Sequence, residues 1–112
     1  MKQLFVLVYP GVALGHLTGM AEVFRFANQL ARYLDPLAAQ ERFSVQFCHL
    51  AGATSYQAES LQVSCIGQLP DQLDALLIPG SYAHRAEELN QVTALFTEHR
   101  QWFLQLQAKG TL

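Results

Sequence analysis

A three-layer α/β sandwich around a parallel sheet is the fold this sequence predicts, and three observations predict it. Leu4 to Tyr9 is an unbroken apolar run of β-forming residues, the pattern of a central parallel strand covered on both faces. Strand-like and helix-like segments alternate after it, as expected of a sheet with helical crossovers. With 112 residues, 51% of them hydrophobic and 14% charged, the chain has material for one core and too little polarity for disorder or a coiled coil.

The elements follow in order. Gln3 to Tyr9 is the first strand, and Pro10-Gly11 ends it. From Leu17 the residues Met20, Ala21, Phe24, Ala27, Ala31 and Leu34 recur at helical spacing. Glu22, Arg25, Gln29 and Arg32 form a polar stripe on the opposite side, and Asp35-Pro36 stops the helix. Phe43 to Leu50 alternates as a strand with one face more buried than the other. Ala58 to Ile66, with Leu61, Val63 and Cys65 alternating, reads as a small hairpin or edge element. Leu73 to Ile78 is a short buried strand closed by the turn Pro79-Gly80-Ser81.

One last helix is expected through Leu89, Val92, Phe96, His99, Phe103 and Leu106, ended by a Lys109-Gly110 C-cap. Thr111-Leu112 then reads as the start of another strand, so residues 1–112 are expected to be the N-terminal part of a single domain, with the sheet incomplete at its C-terminal side.

Composition excludes several function classes. A net charge of -2 gives no basic stripe able to neutralise several phosphates, so these residues should not bind nucleic acid by themselves. Cys48 and Cys65 lack the CxxC spacing of zinc or redox sites and read as reduced core thiols. The run Leu4 to Tyr9 is too short and too β-prone for a signal peptide, and no stretch approaches a membrane span. A cytoplasmic setting is expected. So low a charge fraction also leaves apolar surface to cover, which points to a partner subunit or a continuation of the chain.

The strand with Pro10-Gly11, the stretch Leu14-Gly15-His16-Leu17-Thr18-Gly19-Met20-Ala21-Glu22-Val23-Phe24-Arg25, and Ala27-Asn28 together resemble the opening of ThiJ/PfpI-type domains of the class I glutamine amidotransferase-like superfamily. The similarity is greatest to the N-terminal sensor domain of AraC-type transcriptional regulators. It continues through Asp74-Ala75-Leu76-Leu77-Ile78-Pro79-Gly80 and Trp102-Phe103-Leu104 to Gly110-Thr111-Leu112, nearly the whole chain. The resemblance implies a flavodoxin-like fold and places a nucleophilic cysteine, its histidine and a DNA-binding helix-turn-helix beyond Leu112.

Two features of the family's pocket fall within the chain. His16 stands where catalytic relatives carry an acidic residue that hydrogen-bonds the cysteine, and an imidazole does not replace a carboxylic acid in geometry. It reads either as a ligand contact or as a capping histidine at the helix start. Gly80 and Ser81 would offer backbone N–H groups to an oxyanion or other anion, with Ser81 replacing the family's second glycine. His84, Glu87 and Glu88 share one turn but have no supporting ligand pair, and read as a solvated helix start; no metal and no cofactor are expected. His49 and His99 read as satisfied core histidines. Glu22 and Arg25 are either part of a solvated face or, as the resemblance implies, part of a dimer interface.

The resulting expectation is the N-terminal part of a ligand-sensing, dimerising domain of an AraC-type regulator, non-catalytic in itself, with an unidentified small-molecule effector. It should form a homo-oligomer, most simply a two-fold dimer burying the first helix or the open edge at Leu76-Leu77-Ile78. The alternatives are a fragment of a ThiJ/PfpI-type hydratase, hydrolase or glyoxalase-like enzyme, against which His16 counts, and a free-standing binding module.

Overall fold

The computed structural model describes residues 1–37, 41–58, 60–82 and 85–112. Its centre is a parallel three-stranded sheet in the order β2-β1-β5. Strand β1 (Lys2–Val8) pairs along its whole length with β2 (Phe43–His49), from Lys2 opposite Phe43 to Val8 opposite His49. On its other side it pairs with β5 (Ala75–Leu77), Leu4 to Val6 lying opposite Ala75 to Leu77. Every residue from Leu4 to Tyr9 is buried, and Val6, Leu7 and Val8 are fully so. Successive residues of a strand point to opposite faces, so β1 is covered on both.

Strands β3 (Ser55–Ala58) and β4 (Leu61–Ser64) form a separate antiparallel hairpin. It is tied to the outer edge of β2 just past its end, where the Ile66 N–H donates to the Phe47 carbonyl at 3.0 Å. β5 also has an outer neighbour: the Leu76 N–H donates to Leu112 O at 2.8 Å and the Leu112 N–H to Asp74 O at 3.0 Å, a parallel pattern. The edge expected to be open at Leu76-Leu77 is therefore partly paired, while Ile78 stays exposed.

Helix α1 (Leu14–Leu34) buries Leu17, Ala21 and Asn28 toward the sheet and sets Phe24 edge-on against Phe43 of β2, with ring centres 5.1 Å apart. The expected inner face holds as far as Ala31 and fails at Leu34, which is 72% exposed because the helix has by then run past the sheet. Asn28 occupies the buried face and has partners for it: its Nδ2 donates to Phe43 O at 2.8 Å, and its Oδ1 accepts from the N–H groups of Arg42 (3.1 Å) and Phe43 (2.9 Å). One side chain thus fixes the entry of β2. On the exposed side Arg32 pairs with Glu41.

The single last helix expected from periodicity is two helices, α2 (Ala86–Glu98) and α3 (Arg100–Ala108). His99 leaves helical geometry at φ -102°, ψ 18°, and its Nδ1 lies 3.0 Å from the Leu95 carbonyl. The break re-aims the second half so that Phe103 stacks on Phe96 at 5.5 Å and the Trp102 indole N–H donates to Pro70 O at 2.8 Å. The expected C-cap is present: Gly110 at φ +80° donates to Gln107 O, and Thr111 donates to Leu106 O, a Schellman end that requires the left-handed conformation. Of the residues at helical spacing, Val92, Phe96 and Phe103 pack on the core and Leu89 is exposed.

Candidate functional site

Two loops meet at the C-terminal ends of β1 and β5. The first, Tyr9 to Ala13, must turn sharply into α1, and Gly11 at φ +86° supplies a conformation that a side chain would strain. The second is the turn at Pro79-Gly80-Ser81. They join as a short antiparallel bridge, Val12 opposite Ser81, in which the Ala13 N–H donates to Gly80 O at 2.8 Å and the Tyr82 N–H to Gly11 O at 2.9 Å. Ser81 Oγ also donates to Gly11 O at 3.3 Å. Beneath them the buried phenol of Tyr9 donates to Pro79 O at 2.6 Å, and the same ring meets Phe96 edge-on. Burial raises the Tyr9 pKa above its ordinary value of 10.0, so the phenol remains a donor at neutral pH.

The location is set by topology. The chain leaves β1 through α1 to β2 on one side and returns to β5 on the other, so the direction of winding reverses between β1 and β5. In open α/β sheets the crevice beyond the strand ends at such a reversal is where ligands bind.

His16 sits in the first turn of α1, exposed, with its ring against Gly80: a Cβ at Gly80 would lie 2.7 Å from His16 Nδ1 and 3.0 Å from Cε1. His16 and Gly80 are therefore in contact, and Ser81 follows Gly80 in the same turn. His16 does not cap the helix: the N-cap of α1 is Ala13, no side-chain cap bond is made, and the first turn has no acidic residue. Among the described residues no side chain caps this helix start, and its positive end lies beside Gly80, whose carbonyl accepts the Ala13 N–H. A mainly apolar recess of about 370 Å³ opens beside the loops, lined by Pro10, Gly11, Tyr82, Val92 and Leu95 together with Glu88 and Gln91.

Glu22 and Arg25 lie elsewhere. With Thr18 they form one wall of a wider, open groove of about 640 Å³, closed on its other sides by Phe47 of β2 and by Val63 and Cys65 of the hairpin. This groove is larger than the recess at the strand ends, but it lies away from the convergence of loops, helix end and imidazole, and size alone does not make it the site.

Cys48 is buried and its thiol is pushed up to about 12, by burial first and by the nearby Cys65 second; burial also raises Cys65. Neither supplies a thiolate at neutral pH. His49, the last residue of β2, is buried with Nδ1 accepting the Ala51 N–H at 3.0 Å, and burial lowers its pKa. His84 lies outside the described residues, while Glu87 and Glu88 begin α2, where acidic side chains complement the helix dipole. Among the described residues no three His, Cys, Asp or Glu side chains gather as a metal site, and no helix is long and apolar enough to cross a membrane.

Sequence reading missed Tyr56, whose hydroxyl accepts from the Gly11 N–H at 3.4 Å and brings the hairpin to the rim of the site. A tyrosine in an alternating strand carries no signal of that contact. Comparison with protein-family models, with curated proteins and with solved structures finds no match to this chain.

Proposed function

We propose that the chain is a non-catalytic, ligand-sensing domain of the ThiJ/PfpI type carried by AraC-type transcriptional regulators, and that it takes a small anionic effector at the C-terminal ends of β1 and β5. The observation that carries this reading is the contact of the His16 ring with Gly80 at the point where the sheet reverses its winding. An uncapped helix start, an imidazole and a turn with exposed backbone make a set suited to a carboxylate or phosphate, and the adjoining apolar recess suits the remainder of an organic anion.

Burial of β1 on both faces supports a three-layer, flavodoxin-like plan. The raised thiols of Cys48 and Cys65 support a non-enzymatic role for these residues. On this reading the protein works in the cytoplasm as a homo-oligomer, and DNA is bound by a separate helix-turn-helix domain.

Calorimetric titration with succinate, acetate and inorganic phosphate tests the site. Saturable binding of at least one anion, lost in His16→Ala, is expected. Absence of binding by all three, or binding that His16→Ala leaves intact, would overturn the assignment.

A further inference from the structure

The outer edge of β2 is closed at both ends and open in the middle. Alternate residues of an edge strand turn their backbone groups away from the sheet, and in β2 two bonds to β1 fix which ones do. The Lys2 N–H donates to Arg42 O and the Leu50 N–H to Val8 O, so the even-numbered residues from 42 to 50 bond β1. Phe43, Val45 and Phe47 therefore present their N–H and C=O groups outward. At Phe43 both groups are taken by the Asn28 side chain, and at Phe47 the carbonyl accepts the Ile66 N–H. Among the described residues nothing bonds the N–H or the carbonyl of Val45. One residue of the edge thus offers a donor and an acceptor side by side, the pair that an added strand bonds.

Two hollows meet at this gap. The groove beside the hairpin reaches Val45 and Phe47, and a smaller one of about 330 Å³ reaches Val45 and Phe43. Arg25 borders both, Glu22 only the first and Arg32 only the second. Helix α1 thus lays its charges along the edge in order, a carboxylate at the Phe47 end and guanidinium groups beside Val45 and at the Phe43 end. Arg32 is held by Glu41, whereas Glu22 and Arg25 are exposed and in no ion pair among the described residues. This order of charges selects the direction of an added segment. Run antiparallel, a single residue exchanges both hydrogen bonds with Val45. The segment's N-terminal side then lies toward Phe47 and Glu22, and its C-terminal side toward Arg25. A parallel segment would set its carboxylate toward Glu22 instead.

We propose that the edge of β2 at Val45 binds a short peptide with free ends, added as an antiparallel strand. The C-terminal residue of the peptide pairs with Val45: its N–H donates to the Val45 carbonyl and its carboxylate accepts the Val45 N–H beside Arg25. The ammonium group at the other end lies toward Glu22. The peptide stays short because Asn28 closes the edge beyond its C-terminus and Ile66 beyond its N-terminus. Its side chains meet a partly apolar wall of Val45, Phe47 and Val63. This goes beyond the anion site at the strand ends and does not depend on it, since neither hollow is lined by Gly11, His16 or Gly80.

An amide-resolved NMR titration of the whole chain with trialanine tests this. Saturable shifts centred on Val45 are expected. Methylating the nitrogen of the peptide's third residue removes the N–H due to the Val45 carbonyl and should weaken binding at least tenfold. Amidating the peptide's C-terminus and changing Arg25→Gln should each weaken it about threefold, the size of an exposed ion pair, and the two together no further. Acetylating the N-terminus and Glu22→Gln should form a second such pair. Both variants replace exposed side chains, and unchanged amide signals far from the groove check their folding. Binding of trialanine should be the same in His16→Ala as in the wild type, which separates this result from the fate of the anion site. Absence of saturable binding, shifts that leave Val45 unmoved, or an N-methylated peptide that binds as tightly as trialanine would overturn the proposal. So would fully additive losses from amidation and Arg25→Gln, or loss of binding in His16→Ala.

Discussion

The Tyr9 hydroxyl and the Pro79 carbonyl, 70 residues apart in the chain, lie 2.6 Å from each other beneath the candidate site. This bond ties the end of β1 to the turn after β5 and so sets the distance between the loop that leads into α1, where His16 lies, and the turn that carries Gly80. Tyr9→Phe keeps the ring contact with Phe96 and removes only the donor, leaving a buried carbonyl unpaired. A loss of about 1–3 kcal/mol in urea-unfolding stability is expected, with anion binding weakened by the loosened loops. A stability equal to wild type would show that the bond does not hold the site together.

Asn28 should matter more than its polar character suggests. Asn28→Ala strips partners from Phe43 O and from the Arg42 and Phe43 N–H groups together. The expected cost exceeds that of Tyr9→Phe and amounts to roughly 2–4 kcal/mol. Asn28→Asp keeps the acceptor and loses the donor, so it should fall between Asn28→Ala and wild type. Hydrogen exchange at the start of β2 should rise in the same order.

His49 should make stability fall with acid. Burial lowers its native pKa below the ordinary 6.5, and protonating Nδ1 would also break the bond from the Ala51 N–H. The unfolded chain therefore binds the proton more readily than the native one. The His49 contribution is fully present above pH 6.5 and is lost as pH falls from there toward the lower native value, with a slope of at most about 1.4 kcal/mol per pH unit. His49→Asn, which retains an acceptor, should flatten this part of the profile; an unchanged slope would remove His49 as its source.

The thiols should behave as core groups. With Cys48 pushed up to about 12 and Cys65 also raised, a disulfide reagent at pH 8 should modify half-exposed Cys65 slowly and leave Cys48 untouched until the chain is unfolded in urea. Rapid native labelling of Cys48 would contradict its burial and reopen a nucleophilic role.

Legibility in the sequence follows the range of the interaction. β1 could be read because burial on both faces writes an unbroken apolar run, and the Schellman end because Gly110 is a local requirement. The turn at Pro79-Gly80-Ser81 is equally visible as a local signal, whereas a place for His16 beside it is implied only by the family resemblance. The break at His99 was hidden, because Val92, Phe96, Phe103 and Leu106 keep helical spacing across it and periodicity does not register a side chain reaching the Leu95 carbonyl. Leu34 keeps the spacing of the inner face although it is exposed, because α1 carries apolar residues around most of its circumference and only the reach of the sheet decides which side is covered. The Tyr9–Pro79 bond, the Val12–Ser81 bridge and the Asn28 clamp join distant segments through backbone groups, which leave no residue-type signature.

The central claim is that the ligand site lies at the ends of β1 and β5, with His16 against Gly80. The most direct measurement is an amide-resolved NMR titration of the wild type and Gly80→Ala with succinate. Gly80→Ala leaves the fold intact, since the new methyl meets only the exposed His16 ring, but drives that ring out of place. Shifts confined to residues 11–17 and 80–82 in the wild type, and at least tenfold weaker binding in Gly80→Ala, are the expected result. Shifts centred instead on Glu22, Arg25, Phe47 and Val63, unaffected by Gly80→Ala, would move the site to the groove beside the hairpin and contradict the account.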